Sequence, residues 1–139
     1  MPTSFEFAAS PALALYRSVL EAMAEGVIVV REDGCLMTAN DAAAKLLDLS
    51  PADLPLADCF ERWPLVRGDG TPYSSAEHPF RVAFREGAPR QSQLLGITRL
   101  DGTRRWLSCG VYPVPPTQPG EPRVLIAAFE VLALQRQAD

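Results

Sequence analysis

His78, the cysteines Cys35, Cys59 and Cys109, and the arginine pair Arg99 and Arg104 are the residues of this 139-residue chain with the most chemistry to offer. His78 is the only histidine, and it stands between Glu77 and Pro79 at a helix start, which reads as an exposed, solvated corner. One histidine and three scattered cysteines fall short of a standard zinc ligand set. Nucleophilic catalysis needs a Ser, Cys or Lys with a base in reach, and His78 would have to be that base. Neither a nucleophile elbow nor a glycine-rich phosphate loop occurs, so the chain is read as not an enzyme, with no catalytic and no metal residues. The cysteines, odd in number and widely spaced in apolar settings, read as reduced core thiols.

The elements that would position these groups are organised around Gln91 to Val114. Two strand-like arms flank Asp101-Gly102, a dipeptide suited to a two-residue hairpin turn. With Leu100 and Thr103 flanking the turn, Arg99 faces Arg104, Ile97 faces Trp106, Leu95 faces Ser108 and Leu94 faces Cys109. Opposed Arg99 and Arg104 repel unless solvent, an acid or an anion separates them. By parity, Leu94, Leu107, Cys109 and Val111 share one face, and Leu95, Ile97 and Trp106 share the other. Both faces carry apolar bulk, so the hairpin belongs in a larger antiparallel sheet covered at least partly on each side.

Length and composition, 47% hydrophobic, fit one globular domain. The longest apolar run, Val124 to Phe129, is far short of the ~20 residues of a membrane span. No basic residue precedes Arg17, the wrong start for a secretory signal, and a cytoplasmic location is expected. The net charge is −4, with residues 1–60 acidic and residues 61–139 mildly basic. Neither half forms the basic patch that nucleic-acid binding needs.

In chain order, a tail (1–10) precedes Ser10-Pro11, a cap and first-position proline that open a helix over 11–25. Its stripe of Leu13, Tyr16, Leu20 and Met23 is broadened by Leu15 and Val19 and ends at Gly26. Val27–Arg31 and Cys35–Ala39 form a first hairpin. Asn40 or Asp41 then caps a helix, and Ser50-Pro51-Ala52-Asp53 reads as a capping box before a short one. Residues 62–75 show no steady period and read as a long loop. Ser74 or Ser75 starts a helix through Phe80 and Phe84 that ends at Gly87. After the central hairpin, a proline-rich link leads to a last strand over 123–129, and helical spacing resumes over 131–139. No internal repeat is visible.

Several strings within this order resemble the PAS domain family. Gly26-Val27-Ile28-Val29-Val30, Asp33-Gly34, Ala39-Asn40 and Leu46-Leu47 are similar to its opening hairpin, its Asn and the helix that follows. Asp69-Gly70-Thr71-Pro72, Glu77-His78-Pro79, Gly87-Ala88-Pro89 and Asp101-Gly102-Thr103-Arg104-Arg105-Trp106-Leu107 are similar to its later half. The resemblance spans about residues 13–134 and implies an α+β fold over 26–130, with a five-stranded antiparallel sheet in order 2-1-5-4-3. The helices of residues 41–86 would cover its inner face. Where family members carry Asp-Ile-Thr before a signalling helix, this chain reads Glu130-Val131-Leu132.

The resemblance implies a sensory or regulatory module of signal transduction, as in two-component systems. A small apolar or amphipathic ligand would sit among Phe60, Phe80, Phe84, Leu94, Leu107, Cys109 and Ile126, and the same residues could equally form a solid core. The alternative is a ligand-free homodimerisation or protein-interaction module. Haem sensing through a helix-borne His, here His78, is the remote alternative. A flavin photosensor would need its Cys in an Asn-Cys-Arg-Phe string, whereas Cys59 lies in Ala-Asp-Cys-Phe-Glu-Arg, so neither haem nor flavin is called for as a cofactor. The expected homodimer contact comprises Leu13, Leu15, Tyr16, Val19, Leu20 and Trp106, with the 11–25 helix capping the outer sheet face. A histidine kinase or diguanylate cyclase would be the effector if the chain is a fragment.

Overall fold

The computed structural model describes residues 25–116 and 118–132. Ten elements follow one another: β1 (Gly26–Arg31), β2 (Leu36–Ala39), α1 (Asp41–Leu47), a 3-10 turn (Pro51–Asp53), α2 (Cys59–Arg62), β3 (Leu65–Val66), α3 (Pro79–Glu86), β4 (Arg90–Thr98), β5 (Arg104–Val114) and β6 (Val124–Val131). They build a six-stranded sheet in the order β2-β1-β6-β5-β4-β3. All its pairs are antiparallel. The expected five-strand order is present within it. The sixth strand, β3, arises in the stretch expected to be loop, where Leu65 pairs with Ile97 and Val66 with Gly96. Two residues are too few to show a period.

Three tight turns of one design join antiparallel segments: Arg31-Glu32-Asp33-Gly34, Arg67-Gly68-Asp69-Gly70 and Arg99-Leu100-Asp101-Gly102. In each, the glycine N–H donates to the arginine carbonyl, at 2.8 to 2.9 Å, and the arginine N–H donates across to the residue after the glycine, at 2.8 Å. The glycines take φ of +92°, +89° and +90°, where a side chain would be strained. Each aspartate accepts the N–H two residues on, and Asp69 and Asp101 also accept a threonine hydroxyl at 2.7 Å. A repeated Arg-x-Asp-Gly is therefore present, too short to register as a repeat in the sequence.

This turn corrects the hairpin register. Its connection has three residues, Leu100 to Gly102, so Arg99 opposes Thr103 rather than Arg104. Leu95 then pairs with Leu107, Gly96 with Trp106, Ile97 with Arg105 and Thr98 with Arg104. One added loop residue turns every β4 side chain to the opposite face. Leu95 and Ile97 are accordingly in the core, while Leu94 is 49% exposed on the outer face. Trp106 does lie on that outer face, half-buried, with its ring so close to Gly96 that a Cβ there would sit 2.9 Å from it.

Two arginines from the sheet fasten the helices. Arg99 Nε donates to the Leu46 carbonyl at 2.9 Å, in the last turn of α1. Arg123 Nη1 donates to the Phe84 carbonyl at 2.8 Å, in the last turn of α3, and its remaining nitrogens pair with Glu32. Both place positive charge at a helix C-terminus, where orphan carbonyls and the backbone dipole favour it. At the other end of α1, Asn40 is 6% exposed. Its Oδ1 accepts from Val27 N–H (2.9 Å) and Ala43 N–H (3.0 Å), and its Nδ2 donates to the Glu25 carbonyl (2.9 Å). The cap thus also holds the start of β1. The expected serine cap of α3 is replaced by His78, whose Nδ1 accepts from Phe80 N–H at 3.1 Å.

The core lies between the sheet's inner face and the helices, and its most enclosed large side chains are Leu36, Leu95, Leu125, Val30 and Val111. Along β6, Leu125, Ala127 and Phe129 face inward and Val124, Ile126 and Ala128 outward. The helix expected over 11–25 lies outside the described residues except for Glu25, as does nearly all of the segment expected to be helical over 131–139. Of the latter, Val131 ends β6.

Replacing Asn40 with Ala removes the α1 cap and leaves the Val27 N–H buried without this acceptor. The expected loss is about 2–4 kcal/mol, read from the urea midpoint at unchanged slope. Asn40→Asp, which keeps the accepting oxygen, should lose clearly less.

Candidate functional site

A partly open cavity of about 50 Å³ lies between the inner sheet face and the helices. Ile28, Leu36, Leu95, Ile97, Leu107 and Cys109 line it from the strands, and Leu46, Leu47, Cys59, Phe60 and Phe80 from the helices. Trp63, which follows α2, and His78, which caps α3, complete the polar part of the wall. The site follows from the register: because β4 and β5 turn Leu95, Ile97, Leu107 and Cys109 the same way, four strand side chains converge under α2 and α3.

His78 is 7% exposed rather than a solvated corner. Its ring lies 4.6 Å from that of Phe60 and 5.2 Å from that of Phe80, centroid to centroid. Burial among these rings, followed by the nearby Arg81 charge, lowers its pKa to about 4, so the imidazole is neutral. Since Nδ1 accepts the Phe80 N–H, the neutral ring carries its proton on Nε2. Burial raises the thiols of Cys59 and Cys109 to about 12, so both stay protonated and unreactive. Trp63 is 4% exposed, and its Nε1–H has no hydrogen-bond partner among the described residues.

Four of the expected lining residues, Phe60, Phe80, Leu107 and Cys109, meet at this cavity. Phe84 is in the same core but not on the cavity wall. Leu94 and Ile126 are on the opposite face of the sheet, Leu94 because of the three-residue turn and Ile126 because β6 is apolar on both faces and offers no alternation from which to read parity. Sequence reasoning missed Trp63 and misplaced His78. Trp63 stands in a stretch without a period, and its one signal was a large aromatic beside Pro64. Of the expected dimer-contact residues, Leu13, Leu15, Tyr16, Val19 and Leu20 lie outside the described residues, and Trp106 is on the outer face.

Haem and flavin, the prosthetic groups weighed for this fold and not called for, compare with this packing as follows. A haem on His78 would need room for a macrocycle where the ring is already enclosed by Phe60 and Phe80. A flavin would need a pocket in the ~300–1,000 Å³ range. Among the described residues no group of three or more His, Cys, Asp and Glu is placed to hold a metal ion, and no helix is long and apolar enough to cross a membrane.

A family profile described as PAS fold matches residues 14–113. Among solved structures, the PAS domain of nitrogen regulation protein NR(II) from Vibrio parahaemolyticus is similar at a TM-score of 0.63 and 16% identity, over 85% of this chain and 98% of that one. The PAS domain of an HTR-like protein from Haloarcula marismortui is similar at a TM-score of 0.65 and 12% identity, over 93% and 98%. The Rhodobacter sphaeroides LOV protein is similar at 0.61 and 17%, over 88% and 67%. No functionally curated protein matches the chain.

The buried imidazole makes stability depend on pH. Folded His78 takes its proton only near pH 4, whereas the unfolded ring takes it near 6.5, so the unfolded state binds more protons in between. Stability is therefore full above pH 6.5, falls as pH drops towards 4, and loses on the order of 3 kcal/mol from this residue. Urea midpoints from pH 7 to 4.5 should show this slope in the parent and a much flatter one in His78→Asn, which keeps an acceptor for the Phe80 N–H. Equal slopes would mean that His78 is not held neutral.

Proposed function

This chain belongs to the PAS family, and on that premise we propose that it is a sensory or regulatory module of signal transduction, whose sheet–helix cavity takes a small ligand. The observation that carries the reading is the cavity itself, which the strands and helices wall with apolar side chains. A filled core at native density leaves few voids larger than a water. Neutral thiols, a neutral imidazole and no carboxylate on the wall suit a binding site rather than a catalytic one. A solved PAS domain from a two-component sensor histidine kinase is also similar to this chain, a precedent for an effector of that kind. The three free thiols fit a reducing compartment, and we place the protein in the cytoplasm.

Native mass spectrometry of protein purified from cells, followed by thermal melts against a panel of small neutral molecules, tests this. A ligand at a hundred times its dissociation constant adds about 2.7 kcal/mol and moves the melt by several degrees. Cys109→Leu, which adds carbon to the cavity wall, should abolish that shift while leaving the circular dichroism spectrum unchanged. The absence of both adduct and shift in the parent would retire the ligand reading.

A second reading, association of two copies, is favoured by the outer sheet face. Leu94, Trp106, Tyr112 and Ile126 form an apolar strip there, with Leu94 and Tyr112 49% and 37% exposed. We propose that residues 11–25 cover this strip and join a two-fold contact in which Leu15 and Val19 meet the partner. Leu15→Glu combined with Val19→Glu should shift sedimentation from dimer to monomer with the fold retained. A parent that is monomeric at high concentration excludes the contact.

A further inference from the structure

The polar groups of the side chains that line the cavity are of one kind. The Trp63 Nε1–H is a donor only, buried with no partner among the described residues, and Trp63 is one of the residues that line the cavity. His78, with Nδ1 committed to the Phe80 N–H, has only its Nε2–H left to give. Cys59 and Cys109 are protonated thiols, weak donors and weaker acceptors, and Cys109 Sγ already leans on the Gly110 carbonyl at 3.8 Å. No lining side chain carries a full charge, so a buried anion or cation would meet no counter-ion. A buried donor left unpaired is costly, and an acceptor placed against it would recover that cost. Water answers this need poorly, because its own two hydrogens would find no strong acceptor among the lining side chains.

From these observations we propose that the cavity recognises a small, neutral, aprotic hydrogen-bond acceptor, a molecule of the ketone, aldehyde or ether class, held by the Trp63 indole N–H with its apolar remainder against Leu95, Leu107 and Phe60. This rests on the reading of the cavity as a ligand site and narrows it. The volume sets the scale. At about 50 Å³ it is a third of the ~150 Å³ engineered cavity that takes benzene, so a ligand of a few heavy atoms enters without rearrangement. A larger one must displace α1, α2 or α3, the helices that wall the cavity opposite the sheet, and that displacement would be the response to binding.

Two probes test it, acetone as the acceptor and xenon as an apolar atom that fills space without accepting a bond. The indole N–H of Trp63 is read by proton–nitrogen correlation spectroscopy, with Trp106→Phe assigning the two tryptophan signals. Acetone should move the Trp63 signal downfield along a saturable curve, and xenon should perturb the methyl groups of Leu95 and Leu107 without that downfield movement. In Trp63→Phe, acetone should bind at least tenfold more weakly while xenon binds as before. If acetone saturates the methyl shifts of parent and variant alike, or moves the methyls without moving the indole, the indole is not the recognition element and this inference falls while the cavity reading stands. If neither probe perturbs the core methyls of the parent, the cavity does not admit ligands and both fall.

Discussion

The Asp101 carboxylate, accepting the Thr103 N–H and hydroxyl at 2.9 and 2.7 Å, holds the turn on which the rest of the structure depends. By fixing a three-residue connection it decides that Leu95, Ile97, Leu107 and Cys109 share the inner face. Asp101 is fully ionised under ordinary conditions, since the threonine hydroxyl, the threonine N–H and then Arg99 hold its pKa below the usual carboxylate value. The Arg99 side chain, anchored by this turn, reaches back to the last carbonyls of α1. A surface turn therefore sets both the composition of the cavity wall and the seat of one of its helices.

The same device recurs. Asp33 and Asp69 organise their turns in the same way, and Arg123 does for α3 what Arg99 does for α1. The helices are short, of seven, four and eight residues, and too short to hold their shape alone. Their order comes from caps: Asn40 and Arg99 at the two ends of α1, His78 and Arg123 at the two ends of α3. The caps act together with the core packing of Ala43, Leu46 and Leu47 from α1 and of Phe80, Ala83 and Phe84 from α3.

The cavity's character follows from what surrounds it. Phe60, His78 and Phe80 pack as a cluster of rings, with the Arg81 guanidinium stacked 4.5 Å over Phe60 on the solvent side. The guanidinium, beside a ring already desolvated, helps to keep the imidazole neutral. Water is kept from the thiols and from the indole N–H, and in so apolar a setting a single hydrogen bond carries more weight than it would in solvent.

How much of this was legible in the sequence depended on whether the deciding physics was local. Five of the six strands, the α3 stop at Gly87, the Asn40 cap and the strand order carried by the family resemblance could be read because propensity, capping and turn residues act over a few positions. Four cavity residues, Phe60, Phe80, Leu107 and Cys109, were legible for the same reason, since a regular strand or helix fixes their faces. The length of one turn was not, because Asp-Gly serves two- and three-residue connections alike, and that one residue exchanged Leu94 for Leu95 and Ile97 at the core. Ile126 was misplaced for want of alternation in β6. The burial of His78 and the orphan Nε1–H of Trp63 were decided only by tertiary packing: whether a polar ring meets water depends on which distant rings close over it, and no local pattern encodes that.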